Sequence, residues 1–155
     1  MVSTFSSTAA GAIAIETAQL RDLTALRHLE KECFPQDAWP ILDLIGVLTF
    51  PSVVRLKAIS GTHMVGFIAG DIRRSEGLSW IATVGVLPEY RRQGIGAMLL
   101  QACEERLPTA SIRLCVRNSN KGAIRLYERF GYQAISQWSR YYQDGESALV
   151  MEKRR

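Results

Sequence analysis

The sequence predicts an α+β fold, a mixed and mostly antiparallel sheet of about seven strands with four helices. Two observations carry this. Short β-branched and apolar runs are punctuated by Gly, Pro and Asp-Gly turn signals. Between them lie segments whose apolar residues recur at helical spacing. At 155 residues the chain has room for one domain with a real core and little for a second.

Met1 to Gly11 is rich in Ser, Thr and Ala and lacks the basic start of a secretory signal, so it reads as a disordered leader before a domain spanning 12–155. Ala12 to Thr17 is the first strand. Asp22 is placed to cap a helix whose Leu23, Leu26, Leu29 and Cys33 share a face, and Phe34-Pro35 ends it. Pro40 to Leu48 is a second, shorter helix, with proline tolerated in its first turn. Val53 to Ile59 and Met64 to Ile72 flank Gly61-Thr62 as a hairpin. Ser75-Glu76-Gly77 turns the chain into the strand Leu78 to Leu87, which stops at Pro88 for want of an N–H. Gly94 to Leu107 is the third helix and Ile112 to Val116 the fifth strand. Asn120 is placed to cap a fourth helix that Gly131 terminates. Gln133 to Tyr142 and Ala148 to Glu152 close the sheet as antiparallel strands around Asp144-Gly145.

Composition narrows the function classes. The chain is 47% hydrophobic and 22% charged, as in soluble globular proteins, and no eighteen-residue apolar run exists to span a membrane. Three cysteines (Cys33, Cys103, Cys115) are odd in number and lack metal-ligand spacing, which fits a reducing cytoplasm and no bound metal. The net charge of +4 admits an acidic partner. Part of the excess lies in Arg91 and Arg92, part in Lys153-Arg154-Arg155, which reads as a solvated end. No nucleic-acid-binding motif accompanies it, so no direct nucleic-acid partner is expected.

Val86 to Leu100 carries the first chemical signal. A strand feeds Arg91-Arg92-Gln93-Gly94-Ile95-Gly96, and then a helical run of Ala, Met and Leu. Unpaired first-turn N–H groups, the helix dipole and glycines that admit close approach make such a turn an anion site, and the two arginines add positive charge. It is neither a P-loop nor a dinucleotide fingerprint. Arg91-x-x-Gly94-x-Gly96 resembles the pyrophosphate-binding motif of the GCN5-related N-acetyltransferases. The second signal is Asn120-x-x-Ala123-x-x-x-Tyr127-x-x-x-Gly131-Tyr132. From periodicity alone Tyr127 reads equally well as a core aromatic, since Ala123, Tyr127 and Phe130 share a face. The pattern is also similar to that family, where the Asn contacts the cofactor and the Tyr approaches its sulfur.

The element order matches the family from Ile13 almost to the C-terminus. The resemblance implies a twisted sheet whose fourth and fifth strands splay to admit the pantetheine arm of acetyl-CoA. It assigns cofactor contacts to Val84, Val86, Arg91, Arg92, Gln93, Gly94, Ile95, Gly96, Ala97, Asn120 and Tyr127. Within the family the resemblance narrows to the RimI-type enzymes, which acetylate the N-terminal α-amine of a ribosomal protein. Glu32-Cys33-Phe34-Pro35 with Asp37-Ala38-Trp39, and Arg140-Tyr141-Tyr142 with Asp144-Gly145-Glu146, carry that likeness. It implies that Phe34, Pro35, Trp39, Tyr141 and Tyr142 line the acceptor groove.

The implied reaction is direct attack of a neutral amine on the thioester. A strand N–H near Val86 stabilises the oxyanion and the Tyr127 phenol protonates the leaving thiolate. The chain departs from its relatives at Cys115, which stands where they carry a glutamate thought to be the general base. A cysteine there is a poor base and reads as a small buried hydrophobe. An α-amine of pKa about 7.7–8.0 is roughly a quarter to a third neutral near pH 7.5, whereas a lysine at about 10.4 suffers a deficit of roughly 4 kcal/mol. Losing the glutamate therefore favours an N-terminal or low-pKa acceptor, served through water or a residue such as Glu32. His28 and His63 are weaker candidates for the base, and Trp39, Trp80 and Trp138 read as core or groove wall. The competing readings are a small-molecule amine acetyltransferase, whose carboxylates would be Asp37 and Asp43, and a non-catalytic acyl-CoA-binding protein.

Overall fold

The computed structural model describes residues 3–7 and 11–155. Its eight strands are β1 (Ser3–Ser7), β2 (Gly11–Thr17), β3 (Val53–Ser60), β4 (His63–Arg73), β5 (Leu78–Val86), β6 (Ser111–Arg117), β7 (Gln133–Trp138) and β8 (Ala148–Arg154). They form one sheet in the order β1-β2-β3-β4-β5-β6-β8-β7. Every neighbouring pair is antiparallel except β5–β6, which is parallel. The helices are α1 (Leu23–Cys33), α2 (Ile41–Thr49), α3 (Ile95–Arg106) and α4 (Lys121–Arg129). The expected α+β class and the seven strands from β2 onward are present.

Three expectations are corrected. The proposed leader contains β1, whose residues pair with β2 from Ser3↔Ile15 to Ser7↔Gly11, because the outer edge of β2 offers unmet backbone groups; residues 1–2 and 8–10 lie outside the described part. Asp22 makes no side-chain cap on α1. Its carboxylate instead accepts from the Gln19 N–H at 2.8 Å and from Lys57 Nζ at 2.9 Å, satisfying a buried lysine from β3. The strand foreseen to Tyr142 stops at Trp138, since Arg140 turns left-handed at φ 53 and breaks the pleat.

The two faces of the sheet are distinguished by its glycines. A side chain at Gly85 would meet Cys33 and Phe34 at 3.2–3.3 Å, so α1 packs directly on β5 there. A side chain at Gly66 would strike Leu99 at 2.9 Å, so α3 covers the opposite face. Buried Leu26, Leu29, Leu44 and Leu48 fill the first layer, and Ile95, Leu99, Leu100 and Leu107 the second. Each such side chain contributes about 1.5–3 kcal/mol through burial. Of the C-terminal basic residues expected to be solvated, Lys153 and Arg155 are tied into the fold, while Arg154 is exposed as expected. Lys153 Nζ lies 2.7 Å from Glu104, and Arg155 donates to the carbonyls of Glu104, Leu107 and Thr109, closing the end of α3.

Candidate active site

The parallel pairing of β5 with β6 runs only from Leu78↔Ser111 to Ile81↔Leu114. Beyond it, Ala82–Val86 have no partner on β6, while β6 stays paired with β8 to Arg117. The expected splay is therefore present. A β-bulge accompanies it: Ala69 faces Thr83 while Gly70 faces Ile81, leaving Ala82 as the extra residue. The bulge raises the local twist and turns β5 away from β6. The result is a slot with free backbone groups on its β5 edge.

At one end of the slot stands the anion turn. Gly94 adopts φ 83 with open space where a side chain would be, and α3 starts immediately after it. No side chain caps this helix, and its ladder opens with the Met98 N–H donating to the carbonyl of the N-cap Gly94. The N–H groups of Ile95, Gly96 and Ala97 thus lack intrahelical acceptors. Ile95 offers only its backbone, because its side chain is in the core. Arg91 does more than add charge, since its Nε donates to the Val86 carbonyl at 2.9 Å and pins the strand end. Arg92 is exposed at φ 61. Gln93 holds its buried Oε1 without a partner. Val84 and Val86 are half-buried on the open edge.

Asn120 caps and Tyr127 belongs to α4, the helix that follows β6. Asn120 Oδ1 accepts from the Ala123 N–H at 3.2 Å, capping the helix as expected and leaving its amide N–H groups to other partners. Tyr127 is buried at 6% exposure, with its ring edge-on to Tyr132 at 5.9 Å. Burial first, and then the nearby Tyr142, raise its pKa far above that of a free phenol. It is therefore a proton donor throughout the neutral range.

On the α1 face, Cys115 is half-buried, and burial raises its thiol above 9.0. The Tyr142 phenol is pushed up to about 12 by burial and then by the neighbouring Cys115. Tyr142 packs edge-on against Tyr141 at 4.9 Å, and the Trp138 ring follows at 5.6 Å, then Trp80 at 5.9 Å. Across from them Phe34 rests on Gly85, and Pro35 is exposed. Trp39 lines a groove of about 380 Å³ with Phe50, Asp43, Asp71 and Ala82. The structure brings Cys115, Tyr127, Tyr141 and Tyr142 together. It leaves His28 and His63 exposed in a separate hollow beside Glu89, and Glu32 exposed on α1.

Arg117, Glu30 and Thr83 escaped the sequence reading. Arg117, at the end of β6, binds Asp37, Asp144 and Glu146 and lies 4.2 Å over the Tyr142 ring. Glu30 faces inward at 2% exposure, with Thr83 Oγ1 3.4 Å from its Oε1. Burial raises its carboxyl to about 7, while the Thr83 hydroxyl and the Trp39 backbone lower it in part. Glu30 lies four residues after Leu26 and three before Cys33, so helical spacing already carried the signal.

This slot-and-turn geometry has close parallels. The Acetyltransferase (GNAT) family profile matches residues 23–132, well over half of the chain. The chain belongs to the GNAT acetyltransferase family. This acetyltransferase is 38% identical over 153 residues to an N-alpha-acetyltransferase of Saccharolobus solfataricus, covering 90% of this chain and 91% of that one. Its fold superposes on the ribosomal-protein-S18-alanine N-acetyltransferase of Escherichia coli with a TM-score of 0.81 and 26% identity, over 92% and 93% of the two chains. Arabidopsis thaliana Naa50, solved with the bisubstrate analogue CoA-Ac-MVNAL, matches with a TM-score of 0.78 and 25% identity, over 92% and 99%. The acetyltransferase thus shares its fold with enzymes of the RimI type.

Proposed function

We propose that this acetyltransferase moves an acetyl group from acetyl-CoA directly to the N-terminal α-amine of a protein or peptide. The slot between β5 and β6 carries this reading, because it joins an uncapped helix N-terminus to an aromatic groove. Pyrophosphate meets the Gly94–Ala97 N–H groups and the pantetheine arm follows the free edge of β5. The thioester carbonyl then lies against strand N–H groups near Val86, which stabilise the oxyanion. Tyr127 holds its proton until sulfur departs and then donates to the thiolate. The acceptor enters past Phe34, Trp39, Tyr141 and Tyr142. That Naa50 was solved with a CoA-peptide conjugate supports a peptide acceptor.

Acetylation of a small amine is a second reading, and Asp43 and Asp71 beside Trp39 favour it by offering carboxylates to a cation. Turnover of acetyl-CoA with a panel of peptides of varied first residue, run beside polyamines, separates the readings. Acetylated peptide α-amines are the expected product. Acetylation of polyamines alone favours the small-amine reading, and no turnover with tight acetyl-CoA binding leaves a binding protein.

A further inference from the structure

We propose that Thr83 and Glu30 form a proton relay that draws the proton from the acceptor amine, replacing the carboxylate missing at Cys115. The inference rests on the acetyl-transfer reading above and supplies the base that reading lacks.

Glu30 is a carboxylate enclosed where a carboxylate is costly, and its Oε2 has no hydrogen-bond partner. Its Oε1 is 3.4 Å from Thr83 Oγ1. The relay requires this contact to shorten when the acceptor binds. Thr83 occupies the bulge beside Ala82, and Ala82 lines the open groove with Trp39. The relay takes its proton from an acceptor that reaches the Thr83 hydroxyl along this stretch of β5. Thr83 is also one residue from Val84, on the unpaired edge of β5.

The groups that act on the Glu30 carboxyl are the Thr83 hydroxyl of β5 and the Trp39 backbone before α2, with no cation among them. On α1 itself Cys33 senses the Glu30 charge, and Arg91 stands against Cys33. Asp43 and Asp71 lie in the groove beyond Trp39.

In the step, the ammonium passes one proton to Thr83 Oγ1 as that hydroxyl gives its own to Glu30. The freed nitrogen lone pair forms the C–N bond at the thioester carbonyl, and the C–S bond breaks with its electrons on sulfur. The second amine proton ends on sulfur as the thiol, and Glu30 returns its proton to water. The carboxyl at about 7 suits an α-ammonium near 8, a transfer disfavoured only about tenfold. From a lysine ammonium at about 10.4 it is disfavoured more than about a thousandfold. The relay thus selects α-amines.

The test measures kcat/KM for a peptide acceptor with a free N-terminal amine from pH 6 to 9, with acetyl-CoA affinity measured alongside. Glu30→Gln and Thr83→Val should each lose about 10²-fold at pH 7, with acetyl-CoA affinity within about twofold of wild type. Thr83→Ser should retain activity, and Glu30→Gln should lose the limb that titrates near pH 7. Adding Cys115→Glu to Glu30→Gln should recover part of the loss. Wild-type rates and pH profile in Glu30→Gln overturn the relay alone, as does equal loss in Thr83→Ser and Thr83→Val. A wild-type enzyme that acetylates no peptide or amine overturns both the relay and the acetyl-transfer reading.

Discussion

Arg117 pairs with Asp37, tying the end of β6 to the turn between α1 and α2. The same guanidinium holds Asp144 at 2.9 Å and Glu146 at 2.8 Å on the turn between β7 and β8. The two segments that resemblance assigns to the acceptor groove are thus fastened to one cation. Three carboxylates against one guanidinium also leave the groove mouth net negative, a field that draws an ammonium inward.

Arg117→Gln should release both segments and leave three carboxylates facing one another. Its expected cost is on the order of 2 kcal/mol of stability, with a loss in kcat/KM for peptide and little change in acetyl-CoA affinity. A double-mutant cycle with Asp37→Asn checks the pairing. Fully additive effects would show that the two side chains do not act together.

The latch has an acid limit. Hydrogen bonds from Ser119, and then from Arg117, hold the Glu146 carboxyl down at about 2 from its ordinary 4.5. A group with a depressed pKa stabilises the fold above its unfolded value and loses that contribution as pH falls through the folded one. The window is therefore pH 4.5 down to about 2. Wild type should lose more thermal stability across that window than Glu146→Gln does, and parallel melting curves would refute the assignment.

The cofactor half of the site was legible because its signals are local: a glycine, a strand end and a helix start lie within ten residues. The pairing of Arg117 with Asp37 spans 80 residues, and no periodicity announces it. Cys115 was visible as a departure from its relatives, but the alternative base was sought at Glu32, two residues on and about 200° round the helix. At 100° per residue, Glu32 turns to solvent, whereas Glu30 falls on the stripe of Leu26 and Cys33. Lys153 and Arg155 looked solvated because their acceptors, the Glu104 carboxylate and the carbonyls at the end of α3 and just beyond it, lie far away in sequence.

Gly96 separates binding from folding. A side chain there meets only Leu126 at 3.6 Å, an ordinary contact, so Gly96→Ala should fold normally. Gly96→Asp places an anion in the first turn of α3, where the dipole stabilises it by about 0.3–1 kcal/mol. The same charge repels pyrophosphate. Melting should therefore hold or rise slightly while acetyl-CoA affinity collapses. Calorimetry finding unchanged affinity in the folded variant would move the cofactor elsewhere.

Cys115 should not carry the acetyl group. Burial keeps it a thiol at neutral pH, and a thiol is a weak nucleophile beside a thiolate. Mass spectrometry of wild type with acetyl-CoA and no acceptor should find no adduct at Cys115, and Cys115→Ser should keep most turnover. An adduct rapidly discharged by added amine would replace direct transfer with a two-step mechanism.

Glu30 should cost stability in the pH range where it works. Its folded pKa of about 7 lies above the ordinary 4.5, with burial as the main cause. A carboxyl raised in this way stabilises the fold only while protonated, fully below about pH 4.5, and loses that contribution as pH rises to 7. Above pH 7 the wild-type fold encloses a carboxylate with one oxygen unpartnered. Glu30→Gln removes the charge, and a shift of this size corresponds to about 3 kcal/mol, or a Tm change on the order of 5–10 °C. The variant should melt above wild type at pH 8 and together with it near pH 4.5. Equal pH dependence in both would mean that Glu30 titrates as an ordinary exposed carboxyl, which removes the physical ground for its retention of a proton at pH 7.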